Sequence, residues 1–167
     1  MESSSVERSR PMYFAYGSNL WLDQMRRRCP DSVLRGVGIL RDWKWIITDR
    51  GYANIVPSPG DLVYGLVFDL SKSDEDTLDV YENVPIAYEK EYKAVEFGPL
   101  DTKSSSALEE VLIYIDHIRV TENKPKHEYI HRINRGIEDG IKHGVPESYF
   151  EKYFRSFIPA DSANNAP

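Results

Sequence analysis

Glu82 stands in an unusually acidic stretch of the chain. Between residues 69 and 96, Asp69, Asp74, Glu75, Asp76, Asp79, Glu82, Glu89, Glu91 and Glu96 face only three bases, Lys72, Lys90 and Lys93. Crowded like charges, with aromatic cover from Tyr81 or Tyr88, raise a carboxyl pKa toward neutrality, where one group can both take and return a proton. The run Leu78-Asp79-Val80-Tyr81-Glu82-Asn83-Val84 closes a helix and presents Glu82 at the end of an element. Glu82 is therefore the candidate general acid–base; the competing reading is a solvated acid in a charged connection. Glu89 and Glu91 are weaker candidates, because they fall inside a strand rather than at its mouth.

A second constellation is Tyr13-Phe14-Ala15-Tyr16-Gly17-Ser18-Asn19-Leu20. It reads as a strand that breaks at Gly17, a residue free to take positive φ. Ser18 and Asn19 would then cap a helix through Leu20, Leu22, Met25 and Cys29, stopped by Pro30. Such a corner gathers backbone N–H groups that suit a carboxylate or phosphate. It lacks the spaced glycines and lysine of a nucleotide loop and the second glycine of a nucleophile elbow. An ordinary strand-to-helix turn is the alternative. His127 and His131 share one helical face without a third ligand, so no metal site is assigned. Cys29 lies on the apolar stripe of Leu22 and Met25, which points to packing.

The octet resembles the N-terminal signature of the γ-glutamylcyclotransferase family, written YFAYGSN. Asn54 to Asp61 followed by Val63-Tyr64-Gly65 is similar to that family's SPGD-x-V-x-G segment. Pro125 to Tyr129 and Gly144-Val145-Pro146 with Tyr149 resemble its late part, so the likeness covers roughly residues 12 to 155. The resemblance implies that Glu82 is the proton acceptor and that Tyr13, Phe14, Ala15, Tyr16, Gly17, Ser18, Asn19, Tyr88 and Tyr129 hold the substrate. It implies a ring closure in which the α-amine of a γ-glutamyl compound attacks its own γ-carbonyl, releasing 5-oxoproline and an amine. No protein nucleophile, metal or cofactor is then required. Where many members carry glycine after the glutamate this chain has Asn83, the next best residue for a left-handed backbone. The leaving group stays open between an amino acid, an amine, glutathione and a specialised γ-glutamyl metabolite. A non-catalytic ligand-binding relative is the other class, and loops 101–109 and 120–127 are expected to build the amine-side pocket.

These residues need a frame to position them. Strands are expected over Val33–Leu40, Trp43–Thr48, Ala53–Val56, Leu62–Leu70, Tyr88–Phe97 and Glu110–Arg119, with a turn at Pro57-Ser58-Pro59-Gly60-Asp61. A helix opens near Ser73, with Asp76 three residues on. Ile130, Ile133, Ile137 and Ile141 put one apolar stripe on a helix after Pro125, ended by Gly144. Pro146 opens another, with Phe150, Tyr153, Phe154 and Phe157 inward. The fold class is α+β, a curled mixed sheet or small β-barrel flanked by helices. One domain is expected over 12–158, between disordered tails at 1–11 and 159–167.

Composition bounds the rest. A chain of 167 residues with 41% hydrophobic and 29% charged residues is an ordinary globular protein with room for one core. Its net charge of −6 argues against a general nucleic-acid binder, and Arg26-Arg27-Arg28 reads as a solvated helix end. One cysteine fits a reducing compartment, and no apolar run suggests a leader or a membrane span, so a cytoplasmic location is expected. The expected partner is a small γ-glutamyl molecule, without nucleic acid or membrane, and a homodimer is left open.

Overall fold

The computed structural model describes residues 11–100 and 107–161. Five strands, β1 (Met12–Ala15), β2 (Val33–Ile47), β3 (Ala53–Asp69), β4 (Glu89–Pro99) and β5 (Ala107–Ile115), close into a barrel in the order β1-β3-β2-β4-β5. Helices α1 (Leu22–Arg28), α2 (Lys72–Tyr81), α3 (His127–Lys142) and α4 (Glu147–Tyr153) flank it. Every strand pair is antiparallel except the closing one, where β1 runs parallel to β5 with Tyr13 opposite Leu112. Closure gives each strand a neighbour on both sides within the barrel, while the β2–β3 hairpin extends beyond it, pairing on to Ile47 and Ala53. The α+β barrel expected from the sequence is the fold found.

The four strands expected between Val33 and Leu70 are two long ones. Asp42 adopts a left-handed φ of 69° and Gly60 one of 88°, and the Asp42 carboxylate accepts the Gly60 N–H at 2.9 Å. The two local turn signals thus stack opposite each other as an irregularity, with the register shifting between Arg41 and Trp43, and pairing continues past it. Strand β5 already begins at Ala107, and 101–106 lie outside the described residues.

Phe14 fills the barrel interior at zero exposure. A methyl group on Gly65 or Gly38 would sit 2.8 or 3.1 Å from its ring, so those glycines make room for it. Trp45 stacks on Phe154 with ring centroids 3.7 Å apart, which seats α4 on the barrel. Of the stripe expected to face inward, Phe150 and Phe154 are buried while Tyr153 and Phe157 are half-buried against the core.

Helix α2 is capped by Ser71, whose hydroxyl accepts the Asp74 N–H at 3.0 Å; the Ser73–Asp76 capping pair is not formed. Helix α3 begins at His127 and ends into Gly144 at φ 115°, as expected. The tails expected at 1–11 and 159–167 fall largely outside the described residues. Inside them, the Pro159 carbonyl accepts from Asn134 and Asp161 pairs with Arg135, so those two residues are tied to α3. No helix among the described residues is long and apolar enough to cross a membrane.

Candidate active site

One mouth of the barrel collects the end of β1, the ends of α2 and β5, and the start of α3. After Ala15 the chain turns through Gly17 into a single 3-10 turn, Ser18–Leu20, and only then into α1. Two expectations are corrected here. Gly17 has φ −120°, so positive φ is not what it supplies. A Cβ there would lie 3.2 Å from both Ala53 Cβ and the Tyr129 hydroxyl, so closeness of approach is what excludes a side chain. Nor do Ser18 and Asn19 cap α1: its Leu22 N–H donates to the Asp139 carboxylate of α3 at 2.8 Å. Gly136 lets α3 come that close, since a Cβ on it would sit 2.9 Å from Leu20.

Freed from capping, the corner side chains build a network. Gln24 donates to Ser18 Oγ at 2.9 Å and to Asn19 Oδ1 at 2.8 Å, and Asn19 Nδ2 donates to the Tyr13 hydroxyl at 3.0 Å. Trp45 Nε1 ties down the Tyr16 carbonyl at 2.9 Å. Among the described residues no protein group accepts from the backbone N–H groups of Gly17, Ser18 or Asn19. They remain available to an acceptor from outside the chain.

Glu82 follows the last turn of α2, its N–H bonded to the Leu78 carbonyl at 2.8 Å. Asn83 takes the left-handed backbone that its residue type favours, at φ 53°, and the chain doubles back toward β4. The segment beyond is clamped from the barrel. Buried Asn54 bonds the Asp116 N–H and carbonyl, Asp116 holds Arg119, and Arg119 donates to the carbonyls of Ile86 and Ala87. Glu82 keeps some accessible surface because it lines two adjoining cavities, yet protein surrounds it closely enough that burial pushes its carboxyl up to about 7. Arg28, Arg50 and Arg132 pull the other way and do not overcome burial. No side chain or N–H among the described residues hydrogen-bonds that carboxyl. A carboxyl in that range is populated in both its protonated and its ionised form near neutral pH.

The inner cavity, about 40 Å³, is lined by the corner, Glu82, Ala53 and five tyrosines: 13, 16, 88, 114 and 129. Burial raises the pKa of all five, so each hydroxyl stays protonated. The outer cavity, about 280 Å³, shares Ser18, Glu82, Tyr88 and Tyr129 and adds Arg28, Arg50, Tyr52, Tyr81 and Arg132. Arg132 is paired with Glu128. Arg28 lies over the Tyr81 ring and reaches Asn19, Arg50 lies near Tyr52 and Tyr88, and neither has a carboxylate partner among the described residues.

The structure brings Glu82, Tyr13, Phe14, Tyr16, Gly17, Ser18, Asn19, Tyr88 and Tyr129 together. Ala15 is excluded: it is fully buried and lines neither cavity. Glu89 is exposed and Glu91 is paired with Lys93 and His117, so both stay outside. Among the described residues the outer cavity is walled by the Arg50–Tyr52 turn, α1, α2 and α3 rather than by loops 101–109 and 120–127. His131 packs edge-on against Trp21. Cys29 is buried, and burial pushes its thiol up to about 12, in keeping with a packing role. Sequence reasoning missed Tyr114, Gln24, Arg50 and Arg132, and took Arg28 for a solvated helix end. Tyr114 could have been found from its parity with Leu112 on one face of β5; the arginines carry no local signal.

The sequence profile of one family, gamma-glutamyl cyclotransferase, AIG2-like, matches residues 13–132. A cattle protein named gamma-glutamylcyclotransferase is 37% identical over a stretch spanning 44% of this chain and 44% of its own length. The chain thus matches less than half the length of that relative. Among solved structures, one named gamma-glutamyl cyclotransferase superposes with TM-score 0.67 at 25% identity, covering 91% of this chain and 90% of the other. An uncharacterized human protein superposes with TM-score 0.69 at 27% identity, covering 92% and 90%.

Proposed function

Since the chain belongs to the AIG2-like gamma-glutamyl cyclotransferase family, we propose that it is an enzyme that releases 5-oxoproline from a γ-glutamyl compound. The observation that carries this reading is Glu82: one unbonded carboxyl, raised to about 7, facing a small tyrosine-lined cavity beside unbonded backbone N–H groups. The N–H groups of Gly17, Ser18 and Asn19 take the substrate α-carboxylate. The γ-glutamyl chain folds back so that its α-amine meets its own γ-carbonyl, and holding that conformer supplies much of the rate: ring closures reach effective molarities of roughly 10⁵–10⁸ M. Glu82 takes a proton from the α-ammonium; nitrogen attacks carbon, and the carbonyl π pair moves to oxygen. Collapse of the tetrahedral intermediate restores the carbonyl and breaks the bond to the leaving nitrogen, which receives the proton from Glu82; the carboxylate so regenerated takes the second proton from the ring nitrogen and passes it to the freed amine, which departs as an ammonium beside neutral 5-oxoproline.

The leaving half occupies the outer cavity. Arg28 and Arg50 stand there half-buried without carboxylate partners, in a chain of net charge −6, which supports a leaving amine that itself bears a carboxylate. That reading predicts faster turnover of γ-glutamyl-alanine than of γ-glutamyl-ethylamine; equal rates would remove the leaving-group carboxylate from it. For the reaction itself, Glu82→Gln keeps the shape and loses the proton acceptor, and 5-oxoproline release should fall by about 10²–10⁴. A variant within a few-fold of the original protein would take the acid–base role away from Glu82.

A further inference from the structure

The hydrogen bonds of the inner-cavity hydroxyls narrow which of them can donate into that cavity. Tyr16 donates its proton to the Tyr114 carbonyl at 2.6 Å, Tyr88 to the Ala53 carbonyl at 2.7 Å, and Tyr114 to Asp79 Oδ1 at 2.7 Å. These three offer the cavity lone pairs only. Tyr129 accepts the Ala53 N–H at 3.3 Å and faces both cavities. Tyr13 faces the inner cavity alone, and its hydroxyl accepts from Asn19.

The direction of that last bond is fixed by its neighbours. Arg132 can only donate, so its contact with Gln24 Oε1 at 3.2 Å leaves the Gln24 amide nitrogen to donate to Asn19 Oδ1. Arg28 also donates to Asn19 Oδ1, at 3.3 Å, so Asn19 Nδ2 must donate to Tyr13. A chain therefore runs one way from a guanidinium through Gln24 and Asn19, each 4% exposed, to Tyr13 at 5%. Each bond polarises the next, by roughly 10–30% in condensed-phase estimates. It ends in a phenolic proton with no acceptor among the described residues.

Resting on the cyclotransferase reading above, we propose that the Tyr13 hydroxyl is a catalytic residue that donates its hydrogen bond to the γ-carbonyl oxygen as it becomes an oxyanion, with Asn19, Gln24 and Arg132 as positioning residues that aim and polarise it. Burial and the nearby Glu82 charge keep the phenol protonated, so it donates a hydrogen bond and never transfers the proton. The donor stands in place before the negative charge develops, which is what makes such a group effective.

Tyr13→Phe removes only the hydroxyl. In the full chain, with γ-glutamyl-alanine as substrate, it should lower kcat by about 10²-fold or more, with KM changed only a few-fold. Asn19→Asp gives Tyr13 a carboxylate acceptor, turning the phenolic proton away from the cavity while leaving the hydroxyl in place. It should cost a comparable factor, and the double variant should be no worse than the more impaired single variant. Binding of 5-oxoproline, whose ring carbonyl is the same acceptor, should weaken several-fold in Tyr13→Phe by calorimetry. Retention of kcat within about five-fold in Tyr13→Phe would overturn the assignment while leaving cyclisation standing. An upward shift of the acid limb of the pH–rate profile in that variant would also overturn it, by placing the hydrogen bond on Glu82 instead. If the original protein released no 5-oxoproline, both readings would fall together.

Discussion

At the scale of one residue, the chemistry asked of Glu82 has a cost in stability, and its sign can be stated. The folded carboxyl titrates at about 7, whereas the same group in an unfolded chain titrates near 4.5. Between those values the native state holds a proton that the unfolded state has lost, so stability falls as pH rises through this window. The full loss, on the order of 3 kcal/mol, is present above pH 7 and absent below about pH 4. Glu82→Gln should therefore match the original protein in denaturant melts at pH 4 and exceed it by that order at pH 8. Equal stability at pH 8 would mean that Glu82 is better solvated than its surroundings imply. The placement of Glu82 at the end of an element was legible in advance because an acidic helix end and a following Asn are local features. Its raised pKa comes mostly from burial, which local charge density cannot reveal, and the nearest charges, Arg28, Arg50 and Arg132, act against it.

Among elements, the helices were the easiest to foresee. The isoleucine stripe of α3 and the aromatic stripe of α4 repeat at helical spacing, and Gly144 ends the former. The corner was harder. Its side chains look like caps, but Asp139, far along the chain on α3, supplies the acceptor at the start of α1, leaving Asn19 and Gln24 to hold Tyr13. That exchange depends on how closely α3 approaches, and Gly136 sets the distance. Gly136→Ala would force a methyl to 2.9 Å from Leu20 and 3.3 Å from the Trp21 nitrogen. Overpacking of this kind costs about 1–3 kcal/mol, more than the roughly 1 kcal/mol that Ala returns in helix propensity. The variant should melt lower by several degrees and lose turnover as the corner shifts. Gly98→Ala, where a methyl meets nothing within 4 Å, is the matched control and should change neither.

For the whole molecule, barrel closure assembles the site, and closure is a matter of register. Tyr13 and Tyr114 come together because β1 lies parallel to β5, with Tyr13 opposite Leu112. Nothing within either segment announces that pairing, so the octet was readable and its partner was not. The same holds for Arg28, Arg50 and Arg132, which come from α1, a turn and α3 and meet only across the outer cavity. The result is a cavity that joins a corner of unbonded backbone N–H groups to one unbonded carboxyl, the arrangement on which the proposed chemistry rests. The most direct test is the fate of the acyl group. In ¹⁸O-labelled water with γ-glutamyl-alanine, attack by the substrate's own amine predicts unlabelled 5-oxoproline and alanine, and no turnover once that amine is acetylated. Labelled glutamate as the primary product, or continued turnover of the acetylated compound, would show Glu82 activating water and would contradict cyclisation.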